Sequence, residues 1–301
     1  MLNATASAPA KLNLGLEIVG KRPDAYHEIV TVMQAIDLVD TFTWNLDASV
    51  FHYDGPPAVS AADDLVCRAW GTQPIVERWR GSLTLAKRIP VAAGLGGGSS
   101  NAALALRLAY PAADKATLTA LAAALGADVP FFLRGGRALA TGTGTTLRAL
   151  SDTGGWFLLL TPDLHLPGKT ARLYGGLTSA DLSDGARVRQ IAEHPDSWNP
   201  AAPFPNAFAR QLLDWPVVRY AYRHLQQASG RAVNVSGAGP TLFVRCASAA
   251  DAETALGHLR DAEPALAADA RIARARHADA DRDAVAIMAA ALRGTGRDAG
   301  R

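Results

Sequence analysis

Residues 90–101 read PVAAGLGGGSSN, from Pro90 to Asn101. A strand-like run, SLTLAKRI (82–89), enters this stretch, and an Ala/Leu-rich run leaves it. A flexible linker has polar flanks and no cause to be followed at once by a strong helix former. Glycine admits positive φ and close backbone approach. Successive N–H groups then form an anion-binding concavity, and a helix start adds roughly half a positive charge. The stretch reads as a phosphate loop, with a structural tight turn or linker as the alternative. It lacks GK[ST], so it is not a Walker A loop. Gly94, Gly96, Gly97 and Gly98 do not fit GxGxxG, so a dinucleotide fingerprint is unsupported. A second glycine stretch, SGAGPT (236–241), joins two strand-like runs. Alone it reads as a hairpin loop. Two glycine loops in separate halves suggest that the halves close on one ligand.

A chain of 301 residues suggests about two domains. Hydrophobic residues at 49% and charged residues at 19% are ordinary for a soluble globular protein. The net charge of +2 comes with scattered Lys and Arg, which argues against a nucleic-acid partner and for a small anionic ligand. Cys67 and Cys246 are too few and too far apart for a disulfide framework. No signal-peptide pattern opens the chain, and no apolar run approaches the ~20 residues of a membrane span, so the expected location is the cytoplasm. The histidines fall in no HExxH, and no CxxC pair occurs, so no protein-held zinc is expected.

Leu12, Leu14, Leu16 and Ile18 alternate along residues 10–19, a half-buried strand with Lys11, Asn13, Gly15 and Glu17 on its other face. Strands are expected at 29–38, 41–46, 82–89 and 156–161, with a hairpin at 137–141 and 145–150. Helices are expected at 100–110, capped by Ser99, Ser100 or Asn101, and at 115–125, capped by Asp114 and ending at Gly126. Residues 162–205 read as a long loop-rich segment, and 207–229 as a helical stretch interrupted by Pro216. A strand–loop–strand unit follows, RAVNV-SGAGP-TLFVRC, then helices near 250–262 and 281–293. The fold class is α+β, with domains over 1–161 and 162–290 and a disordered tail over 291–301.

The stretch Pro90–Ala102 resembles the phosphate-loop motif of the GHMP kinases. Ala8-Pro9-Ala10-Lys11-Leu12-Asn13-Leu14 is similar to their N-terminal strand motif. Val235-Ser-Gly237-Ala-Gly239-Pro-Thr241 is similar to their C-terminal glycine loop. The resemblance covers the chain to about residue 290. It implies a ribosomal-protein-S5-like N-terminal domain, a ferredoxin-like C-terminal domain and an active site in the cleft between them. Gly20-Lys-Arg-Pro-Asp24-Ala-Tyr26-His27-Glu28 and Gly126-Ala-Asp128-Val-Pro130-Phe-Phe look like one branch of the family. That branch uses ATP to phosphorylate the tertiary 2-hydroxyl of a cytidyl diphosphate polyol in non-mevalonate isoprenoid synthesis. The alternatives are a homoserine- or mevalonate-type kinase, or a non-catalytic nucleotide or sugar sensor on the same fold.

Read from the residues, Asp128 before Val129-Pro130 is an ordinary helix cap. The resemblance makes it the catalytic base and makes Lys11, otherwise a solvated lysine near a strand start, its electrostatic partner. Gly94, Leu95, Gly96, Gly97, Gly98, Ser99 and Ser100 would bind the ATP phosphates, with Mg²⁺ near Ser99 or Ser100. Asn13, Gly237 and Gly239 would bind substrate. Tyr26 would stack on the cytosine, His27 would bond to its edge, and Tyr174 would close the other side. The bland alternative is a loop tyrosine over the core edge beside a surface histidine. The expected partners are small molecules only, with no membrane, and the chain is expected to be a monomer or weak homodimer. Two departures stand out. Ala25 replaces the glycine usual before Tyr-His, and Ala207 in PNAF (205–208) stands where relatives carry an acid.

Overall fold

The computed structural model describes residues 3–45, 52–57, 59–71, 81–164, 166–195, 199 and 201–278. The helix expected at 281–293 and the tail at 291–301 lie outside these residues.

Strands β1 (Asn3–Lys21) and β2 (His27–Asn45) are 19 residues each and pair antiparallel, with register shifts at Pro9/Ala10, Asn13/Leu16 and Ile18/Gly20. The break expected between residues 38 and 41 is absent. Asp40 lies fully buried inside β2. Its carboxylate accepts from the backbone N–H of Arg88 (2.8 Å) and Ile89 (2.9 Å), from Asn101 Nδ2 (3.0 Å) and from Lys87 Nζ. An acid with four donors does not force the chain out of the sheet. Strands β3 (His52–Asp54), β4 (Ser82–Ala86), β5 (Arg137–Thr141) and β6 (Thr146–Leu150) complete a six-stranded sheet, ordered β3-β4-β2-β5-β6 with β1 on β2.

The second sheet has four strands, β7 (Trp156–Leu160), β8 (Asn234–Val235), β9 (Leu242–Cys246) and β10 (Ala270–Arg274), in the order β10-β7-β9-β8. The run WFLLL, read from sequence as closing the first half, hydrogen-bonds inside this sheet. Its continuous apolarity marks a strand buried on both faces but does not say in which sheet. Strand β10 has no clear sequence signal because its five residues, ARIAR, are few and two of them are arginines.

The helices Leu65–Trp70, Gly97–Ala109, Lys115–Leu125 and Val129–Arg134 pack over the first sheet, where Val66, Trp70, Ala102, Leu106 and Phe131 meet Met33, Phe42 and Trp44. The long helix starts three residues earlier than expected. Gly96 is its N-cap in the left-handed conformation, so neither Ser99, Ser100 nor Asn101 caps it. Asp114 does cap the next helix, accepting from Thr117 N–H at 2.7 Å. Among its described residues the segment 162–205 holds two α-helices that the sequence pattern does not predict, Lys169–Gly175 and Ala186–Glu193. The latter lays Val188 and Ile191 against β1 residues, and its Val188 N–H donates to Glu17 Oε2 at 2.9 Å. With that cover over Gly15 and Glu17 and the two glycine loops over Lys11 and Asn13, β1 is buried on both faces over Ala10–Glu17, not half-buried. Helices Ala209–Leu213 and Pro216–Ser229 meet at the expected proline, and the second packs with Ala249–Ala262 on the second sheet. Strand β1 runs through all three core clusters: Ala6 and Ala8 in one, Ala10, Leu12 and Leu14 in another, Leu16 and Ile18 in the third.

Candidate active site

Lys11 is buried on β1, where its N–H donates to Leu95 O at 2.9 Å. Its ammonium donates to Asn13 Oδ1 (2.5 Å) and Gly94 O (3.0 Å) and lies 3.5 Å from Asp128 Oδ2. Asn13 is oriented in turn by Thr31, whose hydroxyl accepts from Asn13 Nδ2 (2.8 Å) and donates to Gly15 O (2.7 Å). Asp128 occupies the N-cap position of helix Val129–Arg134, as its position before proline predicts, yet its carboxylate makes no capping bond. Its side chain is 32% exposed and borders the cleft, so it is free to meet another hydroxyl.

The glycine loop bends from β4 into helix Gly97–Ala109. Two glycines are obligatory by geometry. A Cβ on Gly94 (φ +80°) would stand 2.3 Å from Ser236 O, and one on Gly96 (φ +72°) 2.8 Å from the Phe132 ring. Among the described residues, the backbone N–H groups of Gly94 through Ser99 donate to no protein acceptor. Six unpaired amides at a helix start form a cradle that fits a polyphosphate. Leu95 points into the core and serves the loop through its carbonyl. Gly97 is buried against Ile89, and Gly98 is exposed, where a Cβ would touch Leu65 Cδ1 at 3.8 Å. Ser99 borders the cleft, whereas Ser100 is buried and faces away from it. Of the two serines offered for a cation, only Ser99 shares the cleft with Asp128. No group of three or more acidic, His or Cys side chains gathers to hold a metal among the described residues. Magnesium that keeps its waters and bridges phosphates does not require one.

The cleft measures about 960 Å³ and runs from Lys11 and Gly94 to Tyr26, His27 and Tyr174. Tyr26 is 68% exposed at its rim. The His27 ring lies 5.0 Å from that of Tyr174, tilted by 31°. Tyr174 in turn meets Phe208 edge-on at 4.9 Å. The ring facing Tyr174 is therefore His27 rather than Tyr26. Burial, with Lys21 second, lowers the His27 pKa and favours the neutral ring. Burial, with the Asp128 charge second, pushes the Tyr174 phenol up to about 12, so it stays protonated. A single phenylalanine in PNAF (205–208) carries no sequence signal for a place beside the cleft. In place of a carboxylate, Ala207 packs its methyl group against the core cluster that holds Leu16 and Ile18. Asn206 beside it binds the carbonyls of Val235 and Gly237 at 3.0 Å each. Gly237 lines the cleft, while Gly239 faces a smaller recess beside Lys169.

Comparison with known proteins meets this geometry. The GHMP kinases N-terminal domain model matches residues 58–136. A 4-diphosphocytidyl-2-C-methyl-D-erythritol kinase of Burkholderia thailandensis is 36% identical over 270 residues, 84% of this chain and 88% of that protein. The chain belongs to the GHMP kinase family. As a family member it is a small-molecule kinase that uses ATP. A crystal structure of 4-(cytidine 5'-diphospho)-2C-methyl-D-erythritol kinase superposes with a TM-score of 0.72 at 29% identity, covering 90% of this chain and 98% of that one. The homoserine kinase of Cytophaga hutchinsonii, at TM-score 0.60 and 14% identity, covers 91% and 95% and shares the kinase's fold. No helix among the described residues is long and apolar enough to cross a membrane.

Proposed function

We propose that this kinase transfers the γ-phosphoryl group of ATP to the tertiary 2-hydroxyl of 4-diphosphocytidyl-2-C-methyl-D-erythritol, a step of non-mevalonate isoprenoid biosynthesis. The observation that carries the reading is the Lys11–Asp128 pair, 3.5 Å apart, between an amide cradle and an aromatic recess. Phosphoryl transfer needs alignment and charge stabilisation more than covalent help. Asp128 orients the substrate hydroxyl and takes its proton late, as the alcohol acidifies. The hydroxyl oxygen bonds to the γ-phosphorus while the bond to the β,γ-bridging oxygen breaks, and ADP leaves. Lys11 holds its ammonium beside the Asp128 carboxylate and stabilises charge on the attacking oxygen. Gly94–Ser99 amides hold the phosphates. Mg²⁺, when bound near Ser99, neutralises phosphate charge. Asn13 and Gly237 flank the substrate, and Tyr26, His27 and Tyr174 receive its cytosine.

The reading extends to a cytoplasmic enzyme that is monomeric or weakly dimeric, with small-molecule partners only. It also divides the chain into two domains, with the boundary drawn ahead of Trp156 because β7 pairs in the second sheet. The test is ATP-to-ADP turnover with Mg²⁺, offering the cytidyl alcohol, homoserine and mevalonate in parallel. Turnover with the cytidyl alcohol alone is expected. Turnover only with another alcohol overturns the substrate, and ATP binding without turnover favours a sensor.

A further inference from the structure

Lys169 opens the short helix Lys169–Gly175 and is only 5% exposed. Its ammonium donates to Ala92 O at 2.8 Å and to Gly239 O. One acceptor belongs to the phosphate loop and the other to the second glycine loop. Among the described residues no carboxylate pairs with it: its recess is lined by Ala92, Gly94, Thr170, Ala171, Ala238 and Gly239 among others, none of them charged. Burying an ammonium without a counter-charge is costly, and its hydrogen bonds must offset that cost. A lysine held on these terms by two backbone carbonyls calls for an account beyond simple core packing.

The account lies in the neighbouring bonds. Thr241 N–H donates to Ala93 O (3.2 Å). Ser236 Oγ donates to Gly94 O (3.0 Å), and Lys11 Nζ to the same oxygen (3.0 Å). Lys11 N–H takes Leu95 O (2.9 Å). Four successive loop carbonyls, from Ala92 to Leu95, are thus engaged by the rest of the protein. The amides that follow, Gly94 to Ser99, have no acceptor of their own among the described residues. The loop presents donors to a ligand because its acceptors are occupied behind it. Ser236 and Thr241 join the loops from within the second one, and Lys169 is the member of this set that stands outside both and donates to a carbonyl of each.

We propose that Lys169 is a positioning residue, a buried cationic clasp that ties the two glycine loops together and thereby holds the nucleotide cradle in its donor-outward form. It touches no reacting atom and acts through the Ala92 and Gly239 carbonyls. The clasp stands on loop geometry alone. Its effect on turnover rests on the kinase reading above.

The experiment compares Lys169→Met, which keeps the stem and removes the charge, with Lys169→Arg, which keeps the charge. Amide hydrogen exchange is followed in the full chain without substrate, and thermal unfolding reports whether each variant is folded. For Lys169→Met, exchange at Ser236, Gly239 and Thr241 N–H rises at least tenfold over wild type while distant core amides are unchanged. In Lys169→Arg most of that protection returns. In turnover, Lys169→Met raises KM for ATP at least tenfold, with KM for the cytidyl alcohol within about threefold. Unchanged exchange at those amides overturns the clasp, whatever the enzyme phosphorylates. A uniform rise across the core, with both KM values rising together, overturns it in favour of plain structural support. Loosened loops in Lys169→Met together with wild-type protein inactive on the cytidyl alcohol support the clasp and sink the substrate assignment instead.

Discussion

Lys11 on β1 and Asp128 at the head of a short helix face each other at 3.5 Å, and the lysine is the buried partner while the acid borders the cleft. The asymmetry suits a fixed cation and an acid that meets substrate. Asp128→Asn is expected to fold as wild type, because the carboxylate makes no capping bond, and to lose about 10²–10⁴-fold in kcat. Lys11→Met is expected to lose similar activity. It also costs roughly 1–3 kcal/mol in stability, because Asn13 Oδ1 and Gly94 O lose a buried donor. Steady-state kinetics and thermal unfolding of the two variants check this. Near-normal kcat in either one removes that residue from the mechanism.

Gly94→Ala is expected to abolish measurable ATP binding. Its Cβ would fall 2.3 Å from Ser236 O at a φ of +80°, so the loops must part. Calorimetric titration with ATP reads this, and wild-type affinity in the variant removes the loop from nucleotide binding.

Tyr174 lies between His27 and Phe208. Replacing it with alanine removes a stacking face worth ~1–3 kcal/mol, so KM for the cytidyl alcohol should rise about tenfold to a hundredfold. Tyr26→Ala, at the exposed rim, should have the smaller effect. KM for ATP should hardly move in either. If Tyr26→Ala proves the more damaging, the pairing of His27 with Tyr174 is not the arrangement that receives the base.

Ala25 holds φ +67° in the turn between β1 and β2, where Arg22 binds Asp24 and Glu28. A left-handed alanine is strained, and glycine removes the strain at some cost in unfolded-state entropy. Ala25→Gly is expected to stabilise the protein by about 0.5–1 kcal/mol, or ~1–3 °C in Tm. A lower Tm would mean that the turn carries no strain.

Burial draws the Lys169 ammonium down to about 8 from its ordinary 10.5, and among the described residues no charged side chain lines its recess. Below pH 8 the protonated lysine is carried at a cost to folding. Between about pH 8 and 10.5 the unfolded chain alone keeps the proton, so this group's contribution to stability improves as pH rises. The clasp, in contrast, loses its charge over the same rise. The kcat/KM for ATP should therefore fall through pH 8 while Tm does not fall with it on this group's account. In Lys169→Arg, whose guanidinium stays charged, the fall should move to higher pH. Identical profiles would assign it to another group.

Much of this was legible in the chain. The glycine stretch sits between strand and helix because four glycines admit the turn and an Ala/Leu run leaves it. Asp114 and Pro216 mark their helix starts by short-range chemistry that sequence displays. Strand β7 was misjudged because apolarity fixes burial and says nothing of partners. Helix Ala186–Glu193 was missed because a single turn-pair of Val188 and Ile191 is a faint pattern in a polar segment. Lys169 had no sequence signal: its worth comes from carbonyls brought to it from Ala92 and Gly239.

Strand β1 enters every core cluster, and this binds the fate of the two sheets. Neither half owns a complete interior, since Ala8 belongs to one, Ile18 to another, and the chain between them to the third. Pulling this strand away uncovers all three at once. Melting should thus be a single cooperative event, with calorimetric and van't Hoff enthalpies in agreement. A fragment beginning at Trp156 would lack the strand that seals its own sheet, and should not survive as an independent folded body.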